Sequence, residues 1–370
     1  MQIQDKELVI KNFSSDWLFP TTRYRGSKRK ILSWIWEELK DIPFQTTLDL
    51  FGGTGVVSLL FKRMGRSVTY NDYSLYNYTA AKALIENKNT RLTEDDVAYL
   101  TQPSKKRKNS GFISTTFRNY YFLDHENKWL DNILTQTESL KHYYSGKELS
   151  YKKAIAIWAI GQACLIKRPF NLFHRKNLYI RTNDVERNFG NKTTWETPFS
   201  VAFERFVMEA NSVVFDNKQT NTATHQNAIE YANLNFDLVY LDPPYFFSGQ
   251  SDEDYLSLYH FLDGVAQYDA WPQIIDKETS TLSIKRKYDK WPSKSIDQLA
   301  NIYSSLIEKF NDSVIVISHK AGSSVSVGAL KKMLQENGKT VHIRTKLYSY
   351  ALNKQNGNSH KNSECLIIGQ

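Results

Sequence analysis

Four short runs of apolar and β-branched residues, Thr46–Phe51, Ser67–Asp72, Phe236–Asp242 and Ser313–Ser318, each end at a polar or Gly/Pro turn. No other feature of the chain restricts its fold as much. Runs of this kind, without polar alternation, read as strands buried on both faces. Helical patterns lie between or before them. Ser27–Lys40 sets Ile31, Leu32, Ile35, Trp36 and Leu39 along one face, with Lys28, Lys30 and Glu37 off it. Ile296–Phe310 repeats the pattern with Leu299, Tyr303, Leu306, Ile307 and Phe310. Strands alternating with helices predict an α/β fold with a mostly parallel, doubly wound sheet. Val341–Tyr350 and Glu364–Gly369 are two further strand-like runs joined by a polar loop containing Asn356-Gly357-Asn358, a spacing that suggests an antiparallel pair at the sheet edge.

The middle of the chain, from about Asn89 to Thr224, breaks the alternation. An insertion of that size between the second and third strands reads as a separate lobe, giving a domain of 1–88 and 225–370 around an insert of 89–224. Its longest apolar stretch, Ala154–Ile166, is too short to span a bilayer and reads as a buried helix. Cys164 and Cys365 are the only cysteines, too few for a disulfide framework or a four-cysteine metal site. Met1–Phe13 shows no basic segment followed by an apolar one, so a soluble, cytoplasmic protein is the expectation. The net charge of +9 and an aromatic content of 14% favour a polyanionic partner with unstacked bases.

Two turns carry candidate chemistry. Asp49-Leu50-Phe51-Gly52-Gly53-Thr54-Gly55 follows the first strand and opens a helix, Val56–Met64. Glycines there let the backbone approach a ligand, and the helix N-terminus points N–H groups at it. The pattern is neither the dinucleotide fingerprint nor a Walker loop. Asp72 ends the second strand, where an acid can accept from ribose hydroxyls. Together these features suggest a nucleoside cofactor without a pyrophosphate, above all S-adenosylmethionine.

The second turn is Asp242-Pro243-Pro244-Tyr245. Two prolines cannot continue a central strand, so the segment is a rigid turn at a strand's carboxyl end. An exocyclic amine on adenine is a poor nucleophile, because its lone pair is delocalised into the ring. The Asp242 carboxylate and the Pro243 carbonyl suit acceptance of its two hydrogens, which would localise the lone pair and aim it at a methyl donor. Tyr245 suits stacking on the base, and an adenine in a duplex must be extruded to reach such a pocket. No metal is needed, and no His/Cys cluster has ligand spacing.

With these motifs the chain resembles the S-adenosylmethionine-dependent adenine-N6 DNA methyltransferases of the Dam-like D12 class. Thr22-Arg23-Tyr24-Arg25-Gly26-Ser27-Lys28 resembles the family's N-terminal element, which by that resemblance puts Tyr24 and Lys28 on the cofactor, Lys28 near its carboxylate. Asp49–Gly55, with Phe51, Gly52, Gly53 and Gly55, resembles the glycine element, Asp72 falls at the ribose acid, and Asp242–Tyr245 matches the catalytic tetrapeptide. Phe246, Tyr259-His260-Phe261-Leu262 and Tyr268-Asp269-Ala270-Trp271 resemble the stretch that follows. Gly26-Ser27 stands where the family often has Gly-Gly, and Asn227, Ala228, Ile229 and Glu230 are the candidates beside the cofactor adenine. The resemblance implies a Rossmann-like methyltransferase sheet with an antiparallel C-terminal hairpin and an inserted target-recognition lobe. It further implies a monomer acting on double-stranded DNA, with a separate cognate restriction endonuclease as a possible partner.

In the insert, Arg168-Pro169-Phe170-Asn171-Leu172-Phe173-His174-Arg175, followed by Arg181 and Arg187, is the dense polar-aromatic tract expected to face DNA. Lys105-Lys106-Arg107-Lys108 reads as an exposed loop, with Lys105 and Lys106 suited to phosphate. Another amine as target (cytosine N4, RNA adenine, a glutamine side chain) and a non-catalytic DNA-binding cofactor sensor are the competing readings.

Overall fold

The computed structural model describes residues 19–24, 26–103, 111–183, 192–232, 234–245, 254–285, 295–347 and 363–370. Seven strands form one sheet: β1 (Thr46–Asp49), β2 (Ser67–Asn71), β3 (Thr222–Thr224), β4 (Leu238–Leu241), β5 (Val314–Lys320), β6 (Val341–Leu347) and β7 (Ser363–Gly369). Their order is β3-β2-β1-β4-β5-β7-β6. The first five pair in parallel. β7 enters antiparallel between β5 and β6. Only β6 of the expected C-terminal pair therefore lies at the edge, and the Asn356-Gly357-Asn358 turn is outside the described residues.

Each expected strand exists; β1, β2 and β4 are trimmed by one or two residues at their ends, β5 runs on to Lys320 and β7 begins at Ser363. The core strands carry apolar side chains on both faces because both faces are covered. On one, Val68, Tyr70, Leu238, Tyr240 and Val316 pack with Ile35, Leu39, Leu60 and Phe61. On the other, Leu48, Leu50, Val239, Leu241, Ile315 and Ile317 pack with Leu299, Tyr303, Leu306 and Leu330. The face predicted for Ser27–Lys40 is the buried one, but the segment is a 3-10 turn, Lys28–Ile31, running into a helix, Leu32–Leu39. Lys28, placed off that face because of its charge, is buried.

The insert packs closely on the sheet. Its helices, among them Asp124–Ser139, Gly146–Lys167 and Phe199–Val213, share one continuous apolar core with a face of the sheet. The helix Gly146–Lys167 contains the expected buried stretch and packs closely on the helix Leu75–Ala81. A Cβ on Gly161 would collide with the Tyr76 ring. The Tyr76 hydroxyl donates to the Trp158 carbonyl at 2.9 Å and accepts from Gln162. Thr222–Thr224, grouped with the insert by sequence, is β3 and pairs with β2. Three residues are too few to show a period. No described helix is long and apolar enough to cross a membrane.

The topology fixes where a ligand can sit. From β1 the chain winds outward through β2 and β3, then returns to β4 on the opposite side of β1. The crevice at the carboxyl ends of β1 and β4 is the switch point of an open α/β sheet, where ligands bind. Both candidate turns leave the sheet there.

Candidate active site

The glycine turn is shaped by Tyr70, which is fully buried. A Cβ on Gly52 would overlap the Tyr70 ring. The same tyrosine donates to the Gly53 carbonyl at 2.7 Å. Gly53 and Gly55 have φ of 51° and 71°, the left-handed region that glycine tolerates. Gly55 caps the helix Val56–Arg63. Replacing Gly52 by Ala is expected to cost about 1–3 kcal/mol of stability, since the ring it would strike is fully buried and tied to the Gly53 carbonyl. It should also weaken cofactor binding at least as much. Thermal melts and calorimetric titration check this, and wild-type values for both would contradict it.

Two carboxylates flank the turn. Asp72 accepts the Gly53 N–H at 2.8 Å and the Ser74 N–H at 2.7 Å. The Asn77 side chain bonds it as well. Burial raises its pKa despite those bonds. Asp49 closes β1. Its Oδ2 accepts from Ser58 at 2.7 Å, and its buried Oδ1 has no partner among the described residues. Burial pushes the Asp49 carboxyl up to about 7. Tyr24 accepts from Asn77 at 3.2 Å and stacks on Tyr259, ring centroids 3.9 Å apart, and on Tyr255. Phe51 is half-buried against the second core. Asn71 binds both the N–H and the carbonyl of Gln226, which fixes the turn carrying Asn227 and Ala228.

The tetrapeptide lies beside this turn, because Asp49 is in register with Tyr240 across β1 and β4. Asp242 is 18% exposed at its side chain. Its Oδ1 accepts from Lys28 at 2.9 Å and from the Tyr245 hydroxyl at 2.5 Å, and its Oδ2 lies 2.8 Å from the Lys28 ammonium. Oδ1 is saturated, whereas Oδ2 retains one acceptor position. Burial raises the Asp242 pKa; Lys28 pulls it back and Glu364 adds to the rise. Burial opposes the charge on Lys28, but Asp242 and Glu364 outweigh it and hold its pKa above the ordinary value.

Two expectations change here. Lys28, assigned by resemblance to the cofactor's carboxylate, directs its ammonium to Asp242, to the Tyr245 hydroxyl at 2.9 Å and toward Glu364 at 3.5 Å. Tyr245, expected to stack on a base, is buried with its hydroxyl in the same network, 3.0 Å from Glu364, and its ring edge-on to His319. Sequence reasoning missed Glu364. The signal was present: an acid at the start of an otherwise apolar strand that is buried throughout.

The insert also redistributes its arginines. The Arg168 guanidinium is buried and donates to the carbonyls of Tyr121, Leu172 and Arg175 and to the Asn177 side chain. Arg181 forms a buried two-pronged pair with Glu126, both bonds 2.8 Å. Both guanidinium groups, expected at DNA, are buried and brace the inside of the protein in this structure. Arg175 is exposed. Lys105, Lys106 and Arg187 lie outside the described residues, as does Phe246. Trp271 is a packing residue, fully buried against Gly264, and His260 is a core histidine bonded to Tyr121.

Residues 24–314 match the family of D12 class N6 adenine-specific DNA methyltransferases. Among curated proteins, the chain is 26% identical over 357 residues to the type II methyltransferase M2.HphI of Haemophilus parahaemolyticus, covering 95% of this chain and 97% of that one. It is 23% identical over 347 residues to the type II methyltransferase M.NlaIII of Neisseria lactamica, covering 91% and 95%. It is 24% identical over 343 residues to the type II methyltransferase M.FokI of Planomicrobium okeanokoites, covering 85% of this chain and 47% of that one.

Proposed function

The chain belongs to the D12 class N6 adenine-specific DNA methyltransferases, and we propose that its reaction centre is the Asp242–Tyr245 turn, using S-adenosylmethionine held at the Asp49–Gly55 turn. One observation carries this reading: Asp242 stands at the β1/β4 switch point with one oxygen still able to accept a hydrogen bond. When bound, the cofactor supplies an electrophilic methyl group on a sulfonium.

The protein's own groups do the rest. The Asp49 oxygen that has no partner among the described residues suits an ammonium, Asp72 suits the ribose hydroxyls, and the Tyr24 ring forms a wall beside Asp72. Asp242 and the Pro243 carbonyl accept the two N6 hydrogens of an extruded adenine, which localises the lone pair at nitrogen. The N6 proton leaves after transfer, by way of Asp242. The prolines and the Lys28–Asp242 pair keep the carboxylate in place before the substrate arrives, and such pre-organisation is worth several kcal/mol in oriented reactions. Arg175 is an exposed cation of the basic tract and suits a DNA contact.

The type II relatives support a site-specific enzyme of a restriction-modification system. In our reading it acts as a monomer on double-stranded DNA in the cytoplasm, with a separate cognate endonuclease as a possible partner. Expressing the protein in a host without adenine methylation and sequencing its DNA for modified adenines tests this. One fully modified motif is expected; scattered or absent modification contradicts it.

The Asp49 role has its own signature. The carboxyl must be ionised to hold an ammonium, and burial pushes it up to about 7. Cofactor affinity should therefore fall as pH drops below that value, by up to roughly tenfold per pH unit. Calorimetric titrations at several pH values measure this. A flat profile, or an unchanged slope in Asp49→Asn protein, contradicts it.

A further inference from the structure

We infer that Glu364 is a positioning residue for the reaction: it shares Lys28 and the Tyr245 hydroxyl with Asp242 and so keeps the reacting carboxylate basic and oriented. This rests on the assignment of Asp242 as the acceptor of the N6 hydrogens.

Glu364 is 0% exposed and comes from β7, far along the chain from every sequence motif of the site. Its Oε1 accepts from Ser318 on β5 at 2.7 Å and lies 3.0 Å from the Tyr245 hydroxyl and 3.5 Å from the Lys28 ammonium. A phenol has one hydrogen, so Asp242 and Glu364 compete for the one on Tyr245. They also divide one cation. Among the described residues, the other titratable groups facing this cluster include Tyr240 on β4, Tyr303 on the helix Ile296–Lys309, His319 on β5 and Asp49 on β1. Burial keeps both tyrosines in their neutral form and lowers the His319 pKa, so among these described groups Lys28 is the cation that faces Asp242 and Glu364. Without the Glu364 charge, Lys28 and Tyr245 fall wholly to Asp242. Its carboxylate is then a weaker acceptor for the amine hydrogens.

The test compares Glu364→Gln, which keeps the shape, with Glu364→Asp, which keeps the charge. In Glu364→Gln, kcat should fall roughly tenfold or more with KM values within about twofold. The acid limb of its kcat–pH profile should move to lower pH, because Asp242 loses a neighbouring negative charge. Glu364→Asp should recover most of the rate. Wild-type kcat, or a loss with the acid limb unmoved, overturns the inference, since mere packing damage would not shift the limb. Ser318→Ala frees Oε1 for the Tyr245 hydrogen and should move the limb the other way. It decides the matter if the glutamine variant does not fold, and an unmoved limb in it overturns the inference. Carboxyl NMR titration of Asp242 in the unliganded protein separates this role from the reaction itself. A wild-type protein that leaves N6 unlabelled sinks the reaction, while the titration still reads the coupling. An Asp242 titration unchanged by Glu364→Gln sinks the Glu364 role alone.

Discussion

Asp242→Asn protein should fold, bind cofactor with near wild-type affinity and turn over about 10²–10⁴ times more slowly. The fold survives because Lys28, the buried cation, keeps Glu364 at 3.5 Å and the Tyr245 hydroxyl at 2.9 Å. The rate does not, for two reasons. An amide oxygen is a weaker acceptor than a carboxylate. The single amide oxygen is also claimed by Lys28, so the –NH₂ is left facing the adenine amine, donor against donor. Cofactor affinity is preserved because the groups assigned to it, Asp49 and Asp72, belong to β1 and the end of β2. Single-turnover rates at saturating DNA, with calorimetry for the cofactor, measure both. Turnover within tenfold of wild type would contradict the acceptor role.

Lys28→Met should be nearly as damaging and should leave a different trace. Removing the cation leaves Asp242 and Glu364 on one phenol without the ammonium that both carboxylates share. Two buried carboxylates so placed do not both ionise, and one takes up a proton at neutral pH. Breaking a buried ion pair in this way costs about 3–5 kcal/mol, so the melting temperature falls. The acid limb of activity should move to higher pH, opposite to the Glu364→Gln shift, with partial recovery of rate in alkali. If Lys28 acted only on the cofactor's carboxylate, the variant would raise the KM for cofactor and leave the limb in place. That outcome would return Lys28 to the role its sequence context implied.

These opposed shifts come from residues far apart in the chain, and that distance sets how much of the site was legible in the sequence. The sheet was readable because β1, β2, β4 and β5 are covered on both faces, so burial writes itself as short apolar runs. The two turns were readable because glycine and proline have few alternative uses at strand ends. β3 was not, as three residues carry no period. Lys28 looked like a solvent-facing residue of an amphipathic segment, since nothing local neutralises it. Its partners come from the end of β4 and from β7. Glu364 was legible only as the first residue of a strand. The arginines of the insert show the same limit. A tract rich in Arg cannot reveal that Glu126, on a distant helix, draws Arg181 inward. Nor can it reveal that the chain folds carbonyls around Arg168. Composition announces a basic surface, and only tertiary partners say which cations form it.

The most direct measurement incubates the purified protein with methyl-labelled S-adenosylmethionine and unmethylated double-stranded DNA, then digests the DNA to nucleosides. All label in N6-methyldeoxyadenosine, and none there with the Asp242→Asn protein, is the expected result. Label in another nucleoside, or equal label from the Asp242→Asn protein, would contradict the account.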